Sequence, residues 1–298
     1  MELLKTLQQT AAFDVVVVGA GGAGMSAALF AAMDGAKVLL VEHTQYVGGT
    51  TAWSAGTTWI PGTHHAAKVN PSDKLEDART YLDAAIGNHA APAMRQAFLD
   101  NGAEAIARVE QTEVKYRPYP KHPDYISDLP GSTLNGRALE PLPFDARLLG
   151  DLFGLVRPPI PEFTVLGGMM VDRTDINHLL GMTGSWASFK HALKIILRHG
   201  SDRLRYPRGT RWVMGNALVG RLLYSLSKQA NVTLALNTAL EQLGDASAPA
   251  GSPVQSVVIS QNGQRCTVAV RGGVVLASGG FNRSAAQRKE KLGLPHFV

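Results

Sequence analysis

The stretch from Asp14 to Glu42, DVVVVGAGGAGMSAALFAAMDGAKVLLVE, constrains the fold more than any other part of this chain. Val15 to Val18 form a continuous apolar run, which is typical of a parallel strand covered on both faces. The run ends at GAGGAG, which fits the pattern G-x-G-x-x-G, and an alanine-rich segment with helical character follows. Lys37 to Val41 predict a second buried strand. The pattern therefore predicts a βαβ unit that binds a dinucleotide.

Each part of this unit has a physical role. Gly19 permits a tight turn, Gly21 lets the backbone approach a pyrophosphate, and Gly24 lets the helix pack closely against the strand. The start of the helix offers free N–H groups and a partial positive charge to the phosphates. Glu42 ends the second strand, where an acidic residue is expected to meet a ribose hydroxyl.

Two other interpretations of the apolar stretch from Val15 to Met33 are disfavoured. A transmembrane helix would not contain a glycine cluster between Asp14 and Asp34. A secretory signal peptide is disfavoured because the N-terminal segment carries both Glu2 and Lys5, and no convincing cleavage site follows.

The composition is that of an ordinary globular chain. Of the 298 residues, 45% are hydrophobic and 18% are charged, which is enough apolar material to bury a large core. Cys266 is the only cysteine, so an internal disulfide and a cysteine-based metal cluster are both excluded. We expect a cytoplasmic location, and no metal site is predicted.

Basic residues are concentrated in one stretch, from Lys190 to Arg211, of a chain with 29 basic and 24 acidic residues. Apolar residues recur there at helical spacing and predict an amphipathic basic helix: Trp186, Phe189, Leu193, Ile196 and Leu197. We interpret the basic side as the solvated face of a helix that covers the core. Weak association with a membrane surface is the alternative. Nucleic-acid binding is disfavoured because no recognition motif accompanies the charge.

A helical and looped excursion follows the βαβ unit. Residues 72–87 and 92–111 predict two helices, residues 115–145 predict an ordered loop rich in proline and glycine, and residues 175–206 predict the basic helical region. We interpret His64-His65 as an exposed turn rather than as a pair of ligands.

The α/β pattern returns in the C-terminal part. It predicts a helix from Gly215-Asn216 to about Lys228, and strands over residues 232–236, 254–260, 265–270 and 273–277. Asn262-Gly263 is a hairpin turn signal between the second and third of these strands. A nicotinamide-binding domain usually completes its sheet directly, whereas here an excursion separates the βαβ unit from later strands. This organisation favours FAD over NAD.

Several motifs together resemble one group of flavoproteins. They are GAGGAG, GGTTAWSAGTTWIPG, HPDY followed by LPG and GRALEPLPFD, GNALVGRLL, NTALEQL and VVLASGGF. The chain resembles the FAD-dependent 3-ketosteroid dehydrogenases, within the wider fumarate reductase-like superfamily, over nearly its whole length. The implied fold class is α/β: a Rossmann-like FAD-binding domain with a parallel sheet, a β-hairpin and a helical excursion, truncated at its C-terminus.

The resemblance implies which residues hold FAD. The ADP half would contact the first βαβ unit, and a later backbone segment would meet the adenine. The pyrophosphate and the flavin ring would lie along the second glycine-rich segment, with another glycine turn near the end of the chain. The implied residues are Gly19, Ala20, Gly21, Gly22, Ala23, Gly24, Glu42, His43, Gly48, Gly49, Thr50, Thr51, Ser54, Ala55, Gly56, Thr57, Leu240, Ala277, Gly279 and Gly280.

The resemblance also implies an activity. The family removes a proton and a hydride from adjacent carbons beside the C3 ketone of a steroid, and the hydride goes to FAD. Tyr125, in the HPDY motif, matches an active-site tyrosine that positions or activates the base. The expected partners are a hydrophobic, steroid-like substrate and an external electron acceptor.

The family's length implies that residues 1–282 form the FAD-binding domain, with its excursion at about 115–207, and that residues 283–298 begin a substrate domain that is absent. Activity of this chain alone is therefore uncertain. Two alternatives stay open. One is a fumarate reductase-like enzyme that reduces unsaturated acids. The other is a non-catalytic FAD-binding module or one chain of a split enzyme.

Overall fold

The computed structural model describes residues 1–4, 12–245, 247–249, 251–281 and 284–292. The strands among them are β1 (Glu2–Leu3), β2 (Ala12–Val18), β3 (Val38–Val41), β4 (Thr58–Trp59), β5 (Tyr116–Pro118), β6 (Ala138–Pro141), β7 (Phe144–Asp145), β8 (Thr164–Val165), β9 (Met169–Met170), β10 (Arg211–Trp212), β11 (Val232–Ala235), β12 (Thr238–Leu243), β13 (Ser256–Gln261) and β14 (Gln264–Leu276). The α-helices are α1 (Gly22–Met33), α2 (Leu75–Ile86), α3 (Pro92–Val109), α4 (Arg173–Leu180), α5 (Trp186–Arg203), α6 (Met214–Ser227) and α7 (Ala285–Leu292).

The chain divides into two compact units. The first contains residues 1–50 and 229–298, and the second is the continuous segment 51–228. The second unit therefore begins well before the excursion predicted from the sequence. Of the segment predicted to begin a further domain, residues 283 and 293–298 lie outside the described residues, and α7 occupies most of the rest.

The first unit is built on one mixed sheet, whose strand order within the described residues is β1-β11-β3-β2-β14-β13-β12. Strand β2 pairs in parallel with both β3 and β14, and β11 continues the parallel part beyond β3. Strand β3 is buried along its whole length, as expected for a parallel strand covered on both faces. The predicted Rossmann-like α/β fold is confirmed.

The C-terminal strands differ from the prediction in one respect. The sequence predicts separate strands over residues 265–270 and 273–277, but β14 runs through both. It forms the hairpin with β13 at one end and pairs with β2 at the other, with a register shift between Val270 and Gly273. A Cβ on Gly272 would lie 2.9 Å from the carbonyl oxygen of Asp14. The glycine pair thus marks a bulge that re-aims one strand rather than a break between two.

The second unit packs its helices around small antiparallel sheets. Strands β4, β6 and β5 form one sheet, and β7 pairs with β10. The predicted helices at 72–87 and 92–111 are present as α2 and α3. Helix α6 runs through the core of this unit, and Trp212 just before it is fully buried.

The basic helical region differs from the prediction in both extent and orientation. It consists of two helices, α4 and α5. The buried positions of α5 are Ala192, Ile195, His199 and Asp202. Trp186 and Leu197, which belong to the predicted apolar face, are 68% and 63% exposed. The apolar stripe of α5 therefore does not cover the core. No helix among the described residues is long and apolar enough to cross a membrane.

Candidate functional site

The glycine turn after β2 has the geometry that its sequence predicts. Gly19 has φ +104°, and a Cβ there would lie 2.4 Å from the carbonyl oxygen of Ala277. A Cβ on Gly24 would lie 1.8 Å from the carbonyl oxygen of Gly19. Gly21 is different, because no described atom lies within 4 Å of a Cβ built on it. Two of the three glycines are therefore required by the fold, and Gly21 faces open space where a ligand can approach.

The start of α1 is suited to binding a phosphate. Gly21 is the N-cap residue and has no side chain to accept from the first N–H groups of the helix. The first turn of α1, from Gly22 to Met25, contains no acidic residue. The N–H of Met25 closes this turn by donating to the carbonyl of Gly21 at 2.9 Å, so what the turn offers to an anion is the positive end of the helix dipole.

Glu42 is held beside this turn. One carboxylate oxygen accepts a hydrogen bond from the backbone N–H of Ala20 at 2.9 Å, and the other accepts from the N–H and hydroxyl of Thr44. The side chain lines a cavity of about 400 Å³, together with His43 and Leu240. The cavity is large enough for a small-molecule ligand. Glu42, His43 and Leu240, which the sequence separates by up to about 200 residues, therefore meet at one cavity in the first unit.

The remaining predicted residues of the first unit lie near the same turn. Gly48 donates its N–H to the carbonyl of Ala20 at 2.7 Å and bridges to Gly21. The other members of this set are Gly49 and Thr50, which follow Gly48, and Ala277, Gly279 and Gly280, which follow β14. The N–H of Ala277 donates to the carbonyl of Val18 at 2.8 Å, so this second glycine turn begins beside the end of β2.

The predicted flavin-facing segment belongs to the second unit, where it is fixed against the start of α6. It comprises Ser54, Ala55, Gly56 and Thr57, and it follows Thr51, which the resemblance assigns to the pyrophosphate. Gly215 makes the close approach possible, because a Cβ there would lie 1.9 Å from the carbonyl oxygen of Thr51. Its N–H donates to the carbonyl of Ser54 at 3.0 Å. The buried amide of Asn216 donates to the carbonyl of Ala52 at 2.7 Å. From the sequence, Gly215-Asn216 was a helix start and part of a family motif, and this anchoring role was not predicted.

A smaller cavity of about 80 Å³ opens beside this segment within the second unit. Its lining residues are Ala55, Thr57, Arg117, Tyr119, Glu140, Pro141, Asp172, Arg173 and Met214. The guanidinium of Arg173 lies over the ring of Tyr119, with its central carbon 4.3 Å from the ring centre. Neither residue was predicted: Tyr119 had no motif to support it, and Arg173 lies just before the region 175–206 that was predicted to be basic and helical.

The last two residues of the HPDY motif lie in different environments. Asp124 is buried and accepts from Trp59 Nε1 at 2.7 Å and from Arg137 at 2.8 Å. Arg137 is itself 1% exposed and also pairs with Asp73. Tyr125, the predicted active-site residue, is 83% exposed. The buried ion network therefore fixes the loop, and the tyrosine hydroxyl is accessible.

Comparison with known proteins agrees with this geometry. Residues 14–297 match the family described as FAD binding domain. The chain is 37% identical to the 4-oxocyclohex-2-ene-1-carboxylate 5-dehydrogenase of Sinomonas cyclohexanicum, over 99% of this chain and 49% of that protein. It is 34% identical to the 3-oxosteroid 1-dehydrogenase of Mycolicibacterium smegmatis, over 93% of this chain and 48% of that protein.

A solved structure is also similar. The 3-ketosteroid delta1-dehydrogenase of Sterolibacterium denitrificans, in complex with 1,4-androstadiene-3,17-dione, has a TM-score of 0.84 and 32% identity. The match covers 95% of this chain and 50% of that one.

The fold and the phosphate turn define a dinucleotide-binding flavoprotein domain. The chain belongs to the FAD-binding domain family, in the branch that resembles the 3-ketosteroid dehydrogenases, and its cofactor is FAD. It spans about half the length of the curated relatives that it matches.

Proposed function

We propose that this chain is the FAD-binding part of a dehydrogenase that acts on the CH–CH bond beside the ketone of a ring substrate. Relatives named for dehydrogenation of ring ketones support the proposal. The observation that carries it is the cavity beside Ala55 and Thr57. The resemblance assigns these residues to the flavin ring, so the part of a substrate that enters this cavity would lie next to the hydride acceptor.

FAD, when bound, supplies the acceptor for the hydride. The residues of the first unit would hold its ADP half: the pyrophosphate would lie at the positive end of α1, beside the open side of Gly21, and Glu42 would accept from a ribose hydroxyl. In the second unit, Gly215 and Asn216 keep the Ser54–Thr57 segment in place. The rigid support matters because a small displacement of reacting groups is costly in rate.

The proton at the carbon next to a ketone is acidic because the ketone stabilises the enolate. The family's base is tyrosinate-like, and tyrosine has a reference pKa of about 10. The site must therefore lower the pKa of the base or relay its proton. We propose that Tyr125 helps to position or activate such a base. Its accessible hydroxyl and the buried Asp124–Arg137 pair beneath its loop support this role. An external electron acceptor would then reoxidise the flavin.

We propose a 3-ketosteroid as the first substrate class, because several relatives and one solved complex concern 3-oxosteroids. A smaller ring ketone that carries a carboxylate is the second candidate. The relative at 37% identity is named for such a compound, and Arg173 on the cavity wall could bind a carboxylate. Arg173 Nη2 makes only a long contact of 3.4 Å with Glu140, and its buried Nε has no hydrogen-bond partner in the described part of the chain.

The first test is retention of FAD by the 298-residue chain. Protein that is mixed with FAD and passed through gel filtration should keep the flavin absorption bands. Folded protein that elutes colourless would contradict the cofactor assignment for this chain.

The second test concerns Tyr125 and requires a protein that carries this chain at the length of its relatives. Tyr125→Phe should lower turnover of a ring ketone sharply and leave the FAD content unchanged. Unchanged turnover would remove Tyr125 from the active site. If the unsubstituted protein retains FAD but turns over no ring ketone, the result would favour a non-catalytic module.

The substrate classes can be separated with Arg173→Met in the same protein. If the substrate carries a carboxylate, the substitution should lower kcat/KM for 4-oxocyclohex-2-ene-1-carboxylate and spare that for a 3-ketosteroid. Equal effects on both compounds would exclude Arg173 as a carboxylate anchor.

A further inference from the structure

Two adjacent histidines and a glutamate form a cluster in the second unit, apart from the residues that line the two cavities. His64 and His65 precede the 3-10 turn Ala66–Lys68, and Glu110 is the C-cap residue of α3. His64 Nε2 lies 3.1 Å from Glu110 Oε2, and His65 Nε2 lies 2.9 Å from the same oxygen. His65 is buried, so the predicted exposed turn is wrong for this residue.

The carboxylate of Glu110 is held by the two imidazoles. Its side chain is only 13% exposed, and one of its oxygens pairs with both His64 and His65. The backbone N–H of Tyr116 donates to its other oxygen at 2.9 Å. A mostly buried carboxylate of this kind favours a nearby positive charge.

A second histidine pair in the same unit is arranged differently. His178 and His191 stack with ring centres 4.3 Å apart, and His191 Nε2 lies 2.8 Å from Asp175. Arg211 already donates to Asp175 at 2.7 Å, and His178 Nδ1 lies 3.1 Å from the Ser188 hydroxyl. Arg211 thus binds the carboxylate of this pair directly, whereas at Glu110 the ammonium of Lys115 donates to the backbone carbonyl.

We propose that His64, His65 and Glu110 bind one divalent transition-metal ion such as Zn²⁺. One donor atom from each residue lies within 4.8 Å of the other two. Zn–N and Zn–O bonds of about 2.0–2.1 Å give a tetrahedral donor spacing of about 3.3 Å. The distances from Glu110 Oε2 to His65 Nε2 and His64 Nε2, 2.9 and 3.1 Å, are close to that spacing.

The donor set and the exposure both suit such an ion. Imidazole is a preferred ligand of zinc, and two histidines with one glutamate form a known three-ligand set that keeps one coordination position open. His64 is half exposed, which provides a path from solvent. The ion would fasten the loop after the Ser54–Thr57 segment to the end of α3.

Zinc titration of the chain tests the proposal. Protein made without a histidine tag and stripped with EDTA should bind one equivalent of Zn²⁺ in competition with a chromophoric chelator. Loss of a metal's outer-shell partner costs about 10–100-fold in affinity, so loss of a direct ligand in His64→Gln should weaken binding at least about 100-fold. His178→Gln is the matched control, because it alters the other histidine pair, and it should bind zinc as tightly as the parent.

Three results would overturn the site. They are no stoichiometric binding by the parent, equal affinity of His64→Gln and the parent, and equal weakening by His178→Gln. Zinc K-edge X-ray absorption on the parent complex gives a readout that needs no variant to fold. It should show two imidazoles and oxygen in the first shell, and a shell without two imidazoles would also refute the proposal.

Discussion

Replacing Gly24 with alanine is expected to destabilise the fold, whereas replacing Gly21 with alanine is expected to weaken FAD binding alone. The two glycines are three positions apart in one turn, but their surroundings differ. The new methyl at Gly24 would lie 1.8 Å from a backbone carbonyl oxygen, whereas at Gly21 it would meet no described atom within 4 Å. Gly21 has φ −77° and ψ −177°, which alanine adopts without strain.

The magnitudes follow from these contacts. At Gly24 the backbone must move by more than an ångström, and overpacking of this kind costs about 1–3 kcal/mol or more. At Gly21 the loss of chain entropy favours alanine by about 0.4–1 kcal/mol, which offsets its poorer N-cap behaviour. The same overpacking cost, about 1–3 kcal/mol, would fall on the bound pyrophosphate instead. That corresponds to a loss in FAD affinity of about 5- to 150-fold.

Urea unfolding of the flavin-free chain and FAD titration followed by flavin fluorescence measure the two effects separately. Gly24→Ala should lower the free energy of unfolding without any ligand, and Gly21→Ala should leave it within about 1 kcal/mol. A Gly21→Ala chain that binds FAD as tightly as the parent would refute the assignment of this open side to the pyrophosphate. A Gly24→Ala chain of unchanged stability would refute the packing argument.

Three further predictions concern buried polar groups. Asp124→Asn should destabilise the chain by about 1–3 kcal/mol in urea unfolding, since the buried Arg137 loses one of its two carboxylate partners and keeps Asp73; an unchanged midpoint would contradict this. Asn216→Ala should cost about 1–3 kcal/mol by the same assay and reduce flavin retention, because the carbonyl of Ala52 loses its donor; full retention would deny it an anchoring role. Burial raises the pKa of Asp175, but its hydrogen bonds and Arg211 outweigh that effect and lower it below the ordinary 3.8. Its charged form therefore contributes stability above about pH 4, and this contribution is lost as the pH falls further. Asp175→Asn should thus lose less stability than the parent between pH 5 and pH 3. Parallel curves of unfolding free energy against pH would refute this.

The sequence predicts the first unit well because its signals are local. Strand β2, helix α1 and strand β3 lie within the stretch from Asp14 to Glu42, and each is encoded by periodicity or by glycine spacing. The bulge in β14 was missed because Gly272-Gly273 has the composition of a break. Only the contact with the backbone at Asp14, far away in sequence, shows that it is a bend in a continuous strand.

The second unit was harder to predict because its decisive contacts are long-range. Glu110 lies 45 positions from His65, so no spacing rule could join them. The stripe on α5 has helical periodicity, but periodicity alone does not say which side faces the core. A motif likewise does not say which of its side chains is buried. HPDY drew attention to Tyr125, although Asp124 makes the buried contacts.

The division of the first unit between the two ends of the chain sets an order of events during synthesis. Strand β2 pairs with β14, which the ribosome makes about 250 residues later. At about 5–20 residues per second, the partner arrives roughly 12–50 s after β2 has emerged. The continuous segment 51–228 is complete well before that time. The nascent βαβ unit must therefore wait with an unpaired parallel edge, and such an edge can pair wrongly with other chains when translation stalls.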